Sequence, residues 1–409
     1  MNKIIISFSI LFFLFTSSFR AQWVQTVCTG AWTVNSLACK DSIIYAGTGY
    51  YGNPTGVYIT TNNGQNWSQT SLNNRPITSL ALINQYIFAG TNESGVYLST
   101  NNGQNWTQTS LNRIVLALAA GGNTVYEGNF IQGYYESVMY STNFGQNWLA
   151  TSLMYDTIFS LAVCGNYIYA GAYDRGIFIS SNNGQNWTQA PGLGTVYTLV
   201  MDSINIFAGT YNGVYLSTNH GQNWTLPSSN ITYVISLAIS HDSGRTDIFV
   251  GTYYSGVYKS TNNGLNWVQF SEGMGNQGIY SLLTTSNYIF AGSYNGIVYR
   301  RPIHEIVGIN KISNDIPERF SLSQNYPNPF NPVTKIKFNV SSKVKSETSN
   351  VKITVYNILG NEITTLVNEH LQPGSYQVEW NGTNFSSGVY FYKLVSGEFT
   401  ETKKMILLK

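Results

Sequence analysis

An eight-residue segment, Ser-Thr-Asn-Asn-Gly-Gln-Asn-Trp at Ser99–Trp106, occurs in six variant copies along this chain. The copies end at Trp67, Trp106, Trp148, Trp187, Trp224 and Trp267, spaced 37 to 43 residues apart. A recurring period of about 40 residues confines the chain to a repeat architecture, in which each unit is one supersecondary piece stacked on its neighbour. Between the tryptophans the same pieces recur in order: "TSLAL" (Thr78–Leu82), "YIFAGT" (Tyr86–Thr91), "GVYLS" (Gly95–Ser99), then the box, then "NWTQT" (Asn105–Thr109). Each is short, β-branched or aromatic, and bounded by Gly, Asn or Ser, which predicts strands and gives no helical period. Four strands per unit at this period predict a propeller blade.

Seven units are counted. The seventh, within residues 279–301, has three strands and no box, while "QWVQTV" (Gln22–Val27) resembles a post-box strand with nothing before it. The expected fold is therefore all-β: a seven-bladed β-propeller of four-stranded blades over residues 22–301, closed by the N-terminal strand so that no sheet edge is left open.

The box itself reads as a turn. Its third position is Asn62, Asn101, Asn143, Asn182, Asn219 or Asn262, expected to accept backbone N–H groups two residues on. Its fifth is Gly64, Gly103, Gly145, Gly184, Gly221 or Gly264, which takes positive φ without a Cβ penalty. The closing Trp covers the hairpin with a large apolar face. A calcium loop needs several carboxylates, and the box offers neutral amides, so neither metal nor cofactor is expected.

These eight positions resemble the Asp-box, or bacterial neuraminidase (BNR), repeat, [Ser/Thr]-x-[Asp/Asn]-x-Gly-x-x-Trp, with Asn in every copy where Asp is commoner. The resemblance covers about Trp23 to Arg301 and implies a sialidase-like propeller. Families sharing the box include sialidases, endoglucanases such as xyloglucanases, sortilin-type receptors and photosystem assembly factors. It therefore implies a fold and no particular chemistry.

Strand alternation puts the boxes at one end, with the loops joining strands one and two. The two-to-three and four-to-one loops share the opposite end, where the resemblance places any ligand. The two-to-three loops are rich in tyrosine: Tyr50, Tyr51, Tyr134, Tyr135, Tyr173 (followed by Arg175), Tyr211, Tyr253, Tyr254 and Tyr294. A flat apolar ring with a hydroxyl suits a sugar or a peptide, and equally suits packing between blades. Catalysis is harder to place. A sialidase resemblance implies three arginines gripping a carboxylate and a tyrosine nucleophile with a Glu partner. Arg75, Arg113, Arg175, Arg245, Arg300 and Arg301 are available, and "NRPI" (Asn74–Ile77) is a faint echo of a Phe-Arg-Ile-Pro segment. The loop carboxylates Glu93, Glu136, Asp156, Asp174 and Glu272 stand singly in sequence, and no catalytic residue is assigned. The four histidines show no ligand or catalytic spacing.

Charged residues make up 10% of the chain and net charge is +2, with no basic stripe, which points away from nucleic acid. Cys28, Cys39 and Cys164 cannot all pair and read as buried small apolar residues. Residues 1–21 have Lys3, an apolar run Ile4–Phe15 and small residues near Ser18 and Ala21, a secretory signal peptide. No later stretch is long and apolar enough to span a bilayer.

Beyond Arg301 the composition changes: residues 302–409 hold 11 of the 21 Lys and Arg. Residues 302–319 read as a linker. Then "NYPNPFNP", "VYNILGNEI", "LQPGSYQVEW", "SSGVYFYKL" and the terminal "TKKMILLK" alternate strand and turn signals, predicting a small Ig-like β-sandwich. This segment, about Phe320 to Lys409, resembles the C-terminal sorting domain of type IX (Por) secretion cargo. The resemblance implies export across both membranes, with the type IX secretion machinery as partner, to the medium or the outer cell surface. The expected role is a non-catalytic binding or display protein contacting glycan or protein through the face opposite the boxes. A glycoside hydrolase and an assembly-factor-like scaffold are the alternatives.

Overall fold

The structure, a computed structural model, describes residues 22–26, 33–50, 52–130, 136–190, 192–202, 205–228, 230–242, 245–302, 310–313, 316–341, 349–382 and 385–409. The expected signal peptide, Cys28, Tyr51, Tyr134 and Tyr135 lie outside the described residues, as do residues 303–309 and 314–315 of the expected linker. The chain divides into two compact units, Ala21–Ile303 and His304–Lys409. Every regular element among the described residues is a strand.

Among its described residues the first unit holds seven antiparallel sheets, six of them meanders in chain order. The second sheet shows the pattern: Ile77–Ile83, Tyr86–Thr91, Val96–Ser99 and Thr107–Gln108. The first strands of the others are Val34–Lys40, Val115–Gly121, Ile158–Cys164, Val196–Asp202, Val234–Asp242 and Ile279–Thr284. In the seventh sheet the fourth strand is Val24–Thr26, with Val24 opposite Arg300 and Thr26 opposite Val298. The fifth sheet has only three strands. Elsewhere the third residue after the box Trp donates its N–H to strand three, as Thr109 does to Val96 and Thr151 to Val138. In the fifth sheet that residue is Pro227, which has no N–H to give, and pairing stops at Leu216–Thr225.

One interlock joins sheet to sheet. The first residue of each first strand is Val34, Ile77, Val115, Ile158, Val196, Val234 or Ile279, all 0% exposed. Each packs its branched side chain against a glycine in strand two of the preceding sheet: Gly47, Gly90, Gly128, Gly171, Gly209 and Gly251, and Gly292 against Val34. A Cβ on any of these glycines would stand 2.6 to 2.8 Å from a methyl of its neighbour, inside van der Waals contact. Side-chain bonds reinforce the contact: Thr78 Oγ1 donates to Val115 O, Ser236 Oγ to Ile279 O, and Ser281 Oγ to Val34 O. Strand two is enclosed between neighbours as a result, and in "YIFAGT" the residues from Ile87 to Thr91 are all buried.

The boxes close hairpins by a repeated hydrogen-bond clamp. The Asn Oδ1 accepts the backbone N–H four residues on, not two as expected, at 2.9 to 3.0 Å in all six copies. It also accepts the hydroxyl of the first residue, Thr60, Ser99, Ser141, Ser180, Ser217 or Ser260. That hydroxyl oxygen in turn takes the glycine N–H at 2.8 to 3.1 Å. Positive φ extends to the fourth position as well as the glycine, with values of 53 to 57°. Where this position is not Asn, a ring contact compensates. Phe144 stacks on Tyr86 at 4.1 Å and His220 on Tyr167 at 5.0 Å, both in the preceding sheet.

Cys164, expected to be buried, is exposed, and Cys39 is half-buried. Cys164 ends its strand at the hairpin position that half-buried Lys40 and Asp202 fill in other sheets.

The second unit is a sandwich of two four-stranded sheets. One orders Asn310–Ser313, Gly374–Asn381, Val333–Val340 and Ser321–Leu322; the other Glu362–Leu371, Ser349–Tyr356, Gly388–Ser396 and Phe399–Leu407. Asn310–Ser313, expected as connector, is thus an edge strand on Gly374–Asn381. Phe330, Ile336, Phe338, Trp380, Tyr392 and Met405 share its core. The motifs meet in space. Asn325 is buried, its N–H donating to the Tyr392 hydroxyl at 2.8 Å and its amide to Pro327 O and Thr334 Oγ1. Phe330 exchanges backbone bonds with Ile406 and Leu408 of the terminal segment.

Replacing Gly47 by Ala drives a methyl against Ile77 and is expected to cost about 1–3 kcal/mol. Urea midpoints of Gly47→Ala, Ile77→Ala and the double variant check this; the double change should cost less than the two singles together.

Candidate functional site

At the end of the first unit opposite the boxes, the register of strand one against strand two shifts in every sheet, for example between Ile77 and Ser79. The residue accommodated by the shift is Asn35, Thr78, Leu116, Phe159, Tyr197, Ile235 or Tyr280, half-buried in each sheet. Such a bulge re-aims a side chain out of the ladder. In the fourth, fifth and seventh sheets that side chain is aromatic.

These rings meet the loop tyrosines. Phe159 contacts Tyr173 and Tyr197 at centroid distances of 6.1 and 6.0 Å. Tyr197 stacks on Tyr233 at 5.7 Å and 14°. Tyr233 is the hub, touching Tyr211, Tyr253 and Tyr254 at 5.2, 5.0 and 5.8 Å. Tyr253 continues to Tyr280, and Tyr280 to Tyr294. Tyr233 has φ 57°, a left-handed conformation costly for an aromatic residue, held by its N–H to Tyr211 O and its carbonyl from Tyr253 N–H. Burial raises Tyr197 and Tyr280 above the ordinary tyrosine value, and the neighbouring tyrosines add to it. Their hydroxyls therefore stay neutral and able to donate. Of the expected residues, Tyr173, Tyr211, Tyr253, Tyr254 and Tyr294 fall in this cluster; Tyr50, 61% exposed, joins none of its rings. Phe159, Tyr197, Tyr233 and Tyr280 were not expected from the sequence. The first two and Tyr280 were visible as aromatic replacements one place before the Ser or Thr of the "TSLAL"-type strand.

The arginines do not converge. Arg75 donates to the Tyr97 hydroxyl, and Arg300 to Asn63 O in a box. Arg175 Nη1 bonds both oxygens of Asp156 at 2.9 and 3.1 Å. Arg301, 1% exposed, pairs with Glu272 at 2.7 Å and lies over the Phe270 ring. Three of the loop carboxylates, Glu136, Asp156 and Glu272, are thereby tied to arginines.

One unexpected carboxylate stands out. Glu127 occupies the strand-two place held by Ala46, Ala89, Ala170, Ala208, Val250 and Ala291 elsewhere, and "VYEGN" against "IFAGT" carries that signal. It is fully buried, with the Arg113 guanidinium and the Asn129 side chain as its polar neighbours. Arg113 Nη1 lies 3.9 Å from it and 3.6 Å from Glu136, so the two carboxylates are at most 7.5 Å apart. Burial pushes Glu127 up to about 8, against the opposing pull of Arg113. Between its ordinary 4.5 and about 8 the folded chain holds a proton that the unfolded chain releases. Stability from this group therefore falls as pH rises through that window, by at most about 1.4 kcal/mol per pH unit. Glu127→Gln should remove that slope, giving a variant that gains on the wild type from pH 5 to 8 in urea unfolding.

Residues 324–408 match the family model described as "Secretion system C-terminal sorting domain". That segment marks the chain for export. None of the curated protein sequences matches the chain. Solved structures do resemble the first unit. YCF48 from Cyanidioschyzon merolae matches 69% of this chain and 99% of its own at 15% identity and TM-score 0.51. YCF48 bound to D1 peptide matches 68% and 95% at 15% identity and TM-score 0.53. The WD40 β-propeller domain of Doa1 matches 70% and 98% at 13% identity and TM-score 0.54. At such identities the likeness speaks for the fold alone. The chain is an all-β protein: a propeller-like unit followed by a secretion sorting domain. Among the described residues no helix is long and apolar enough to cross a membrane.

Proposed function

We propose that this chain is a non-catalytic binding or display protein, exported by type IX secretion, that contacts a glycan or protein through its tyrosine cluster. The seven sheets are seven blades of a propeller over residues 22–301, closed by Val24–Thr26, and the repeated turn is an Asp-box with Asn in the acidic place. Residues 1–21 act as the signal peptide, and residues 320–409 address the protein to the type IX machinery. The single observation that carries the binding role is the aromatic cluster around Tyr233. Tyr173, Tyr211, Tyr254 and Tyr294 keep 62%, 57%, 67% and 49% of their surface exposed, beyond what packing between sheets requires.

A hydrolase reading is favoured only by Glu127 and Glu136 sharing Arg113, which keeps the two carboxylates within the upper limit of about 9.5 Å for a glycosidase pair. Full burial of Glu127 keeps it from a substrate, so binding is the better account.

Full-length protein should give hits on combined glycan and protein arrays. Tyr253→Ala with Tyr254→Ala should weaken them about tenfold or more, with no release of reducing sugar. Undiminished binding in that variant would refute the tyrosine surface. Deleting residues 320–409 should leave the protein in the periplasm, read by fractionation; normal export would refute the sorting role.

A further inference from the structure

The floor and rim of the tyrosine cluster differ in origin. Phe159, Tyr197 and Tyr280 come from the register shift in strand one, and the first three sheets carry Asn35, Thr78 and Leu116 there instead. The rim comes from the two-to-three loops. The rings form an unbroken series from Tyr173 to Tyr294, with successive centroids 5.0 to 6.1 Å apart. The surface is therefore elongated, crosses the fourth to seventh sheets, and is off-centre on its face.

Its electrostatics are as selective as its shape. The described connections at this end of the fifth, sixth and seventh sheets, residues 192–195, 211–212, 226–228, 230–233, 253–256, 270–278 and 294–297, contain one charged residue, Glu272. Arg301 holds it at 2.7 Å. At the fourth sheet Arg175 is engaged by both oxygens of Asp156. Asp174 stands exposed beside Tyr173, and among the described residues each arginine here is already paired with a carboxylate, so an anionic ligand finds no unpaired cation. An extended peptide would need a row of backbone donors and acceptors. Strand ends and loops face this surface, and they provide rings and neutral hydroxyls rather than a sheet edge.

We infer that the tyrosine surface binds an uncharged polysaccharide, several sugar rings lying along the series with their C–H faces on the tyrosines. Phenolic hydroxyls bond sugar hydroxyls at the edges. This rests on the binding reading above and narrows it to one ligand class.

The test is affinity electrophoresis of the full chain through gels containing galactomannan, xyloglucan, hydroxyethyl cellulose or alginate. Retardation by at least one of the three neutral polymers is expected, unchanged when salt is raised, because no ion pair is screened. Tyr211→Ala and Tyr254→Ala should each weaken it about tenfold. Tyr254→Phe, which keeps the ring, should retain most of it, and Tyr50→Ala should leave it unchanged. Both alanine sites are exposed, and thermal melts of the variants separate lost binding from lost folding. Retardation by alginate alone, loss of binding in salt, or neutral-polymer binding untouched by both alanine variants would overturn the inference. Array hits confined to proteins would also overturn it while leaving the broader binding role standing. No hit of any kind would remove both.

Discussion

The first unit depends on a contact between a missing side chain and a branched one. Strand two of each sheet carries a glycine where the next sheet's first Val or Ile must fit, and the missing Cβ is the space it occupies. Close packing makes this directional, since a methyl on the glycine side could be absorbed only by moving a whole sheet. The relation runs from Gly47–Ile77 through to Gly292–Val34, so each sheet's position is set by the one before it. Pairing of Val24–Thr26 with Val298–Pro302 adds a second link between the two ends of the unit.

The same junction shapes the candidate site. The anchored Val or Ile is followed at once by the register shift, and the next side chain is turned out of the ladder. A buried, invariant step thus presents a variable one. Asn, Thr, Leu, Ile, Phe and Tyr all appear at the shifted place, because the anchor before it and the small residue after it, Ser, Thr or Ala, bear the packing. Function can then vary around the unit without disturbing the sheets. The boxes at the far end do the reverse: their amides and hydroxyls are consumed by their own hairpins, and so they repeat.

Much of this was legible from period and composition. Four short strands per unit, a turn box with Asn and Gly, and the N-terminal strand as a detached fourth strand can all be read from spacing, because they are local patterns written several times. Two details of the repeat differ from what its local pattern implies. The Asn carbonyl reaches four residues on, since the box is wider than a simple Asx-turn. Pro227 removes a pairing donor from an otherwise regular unit. The loop tyrosines were also legible, as residue types in loops. Their division into a connected group and an outlier, Tyr50, was not, since nothing in a loop sequence says which neighbouring sheet's ring it will meet.

The sequence by itself determined that the chain is all-β, repetitive, and tailed by a sorting domain, because strand period, turn chemistry and the tail motifs are properties of short contiguous stretches. Only the tertiary structure decided which residues form the site. Tyr233 becomes a hub and Glu127 a buried acid through contacts between segments far apart in sequence. Glycine in "AGT" reads as permissive in one dimension, and only packing shows that it is the socket for the next sheet.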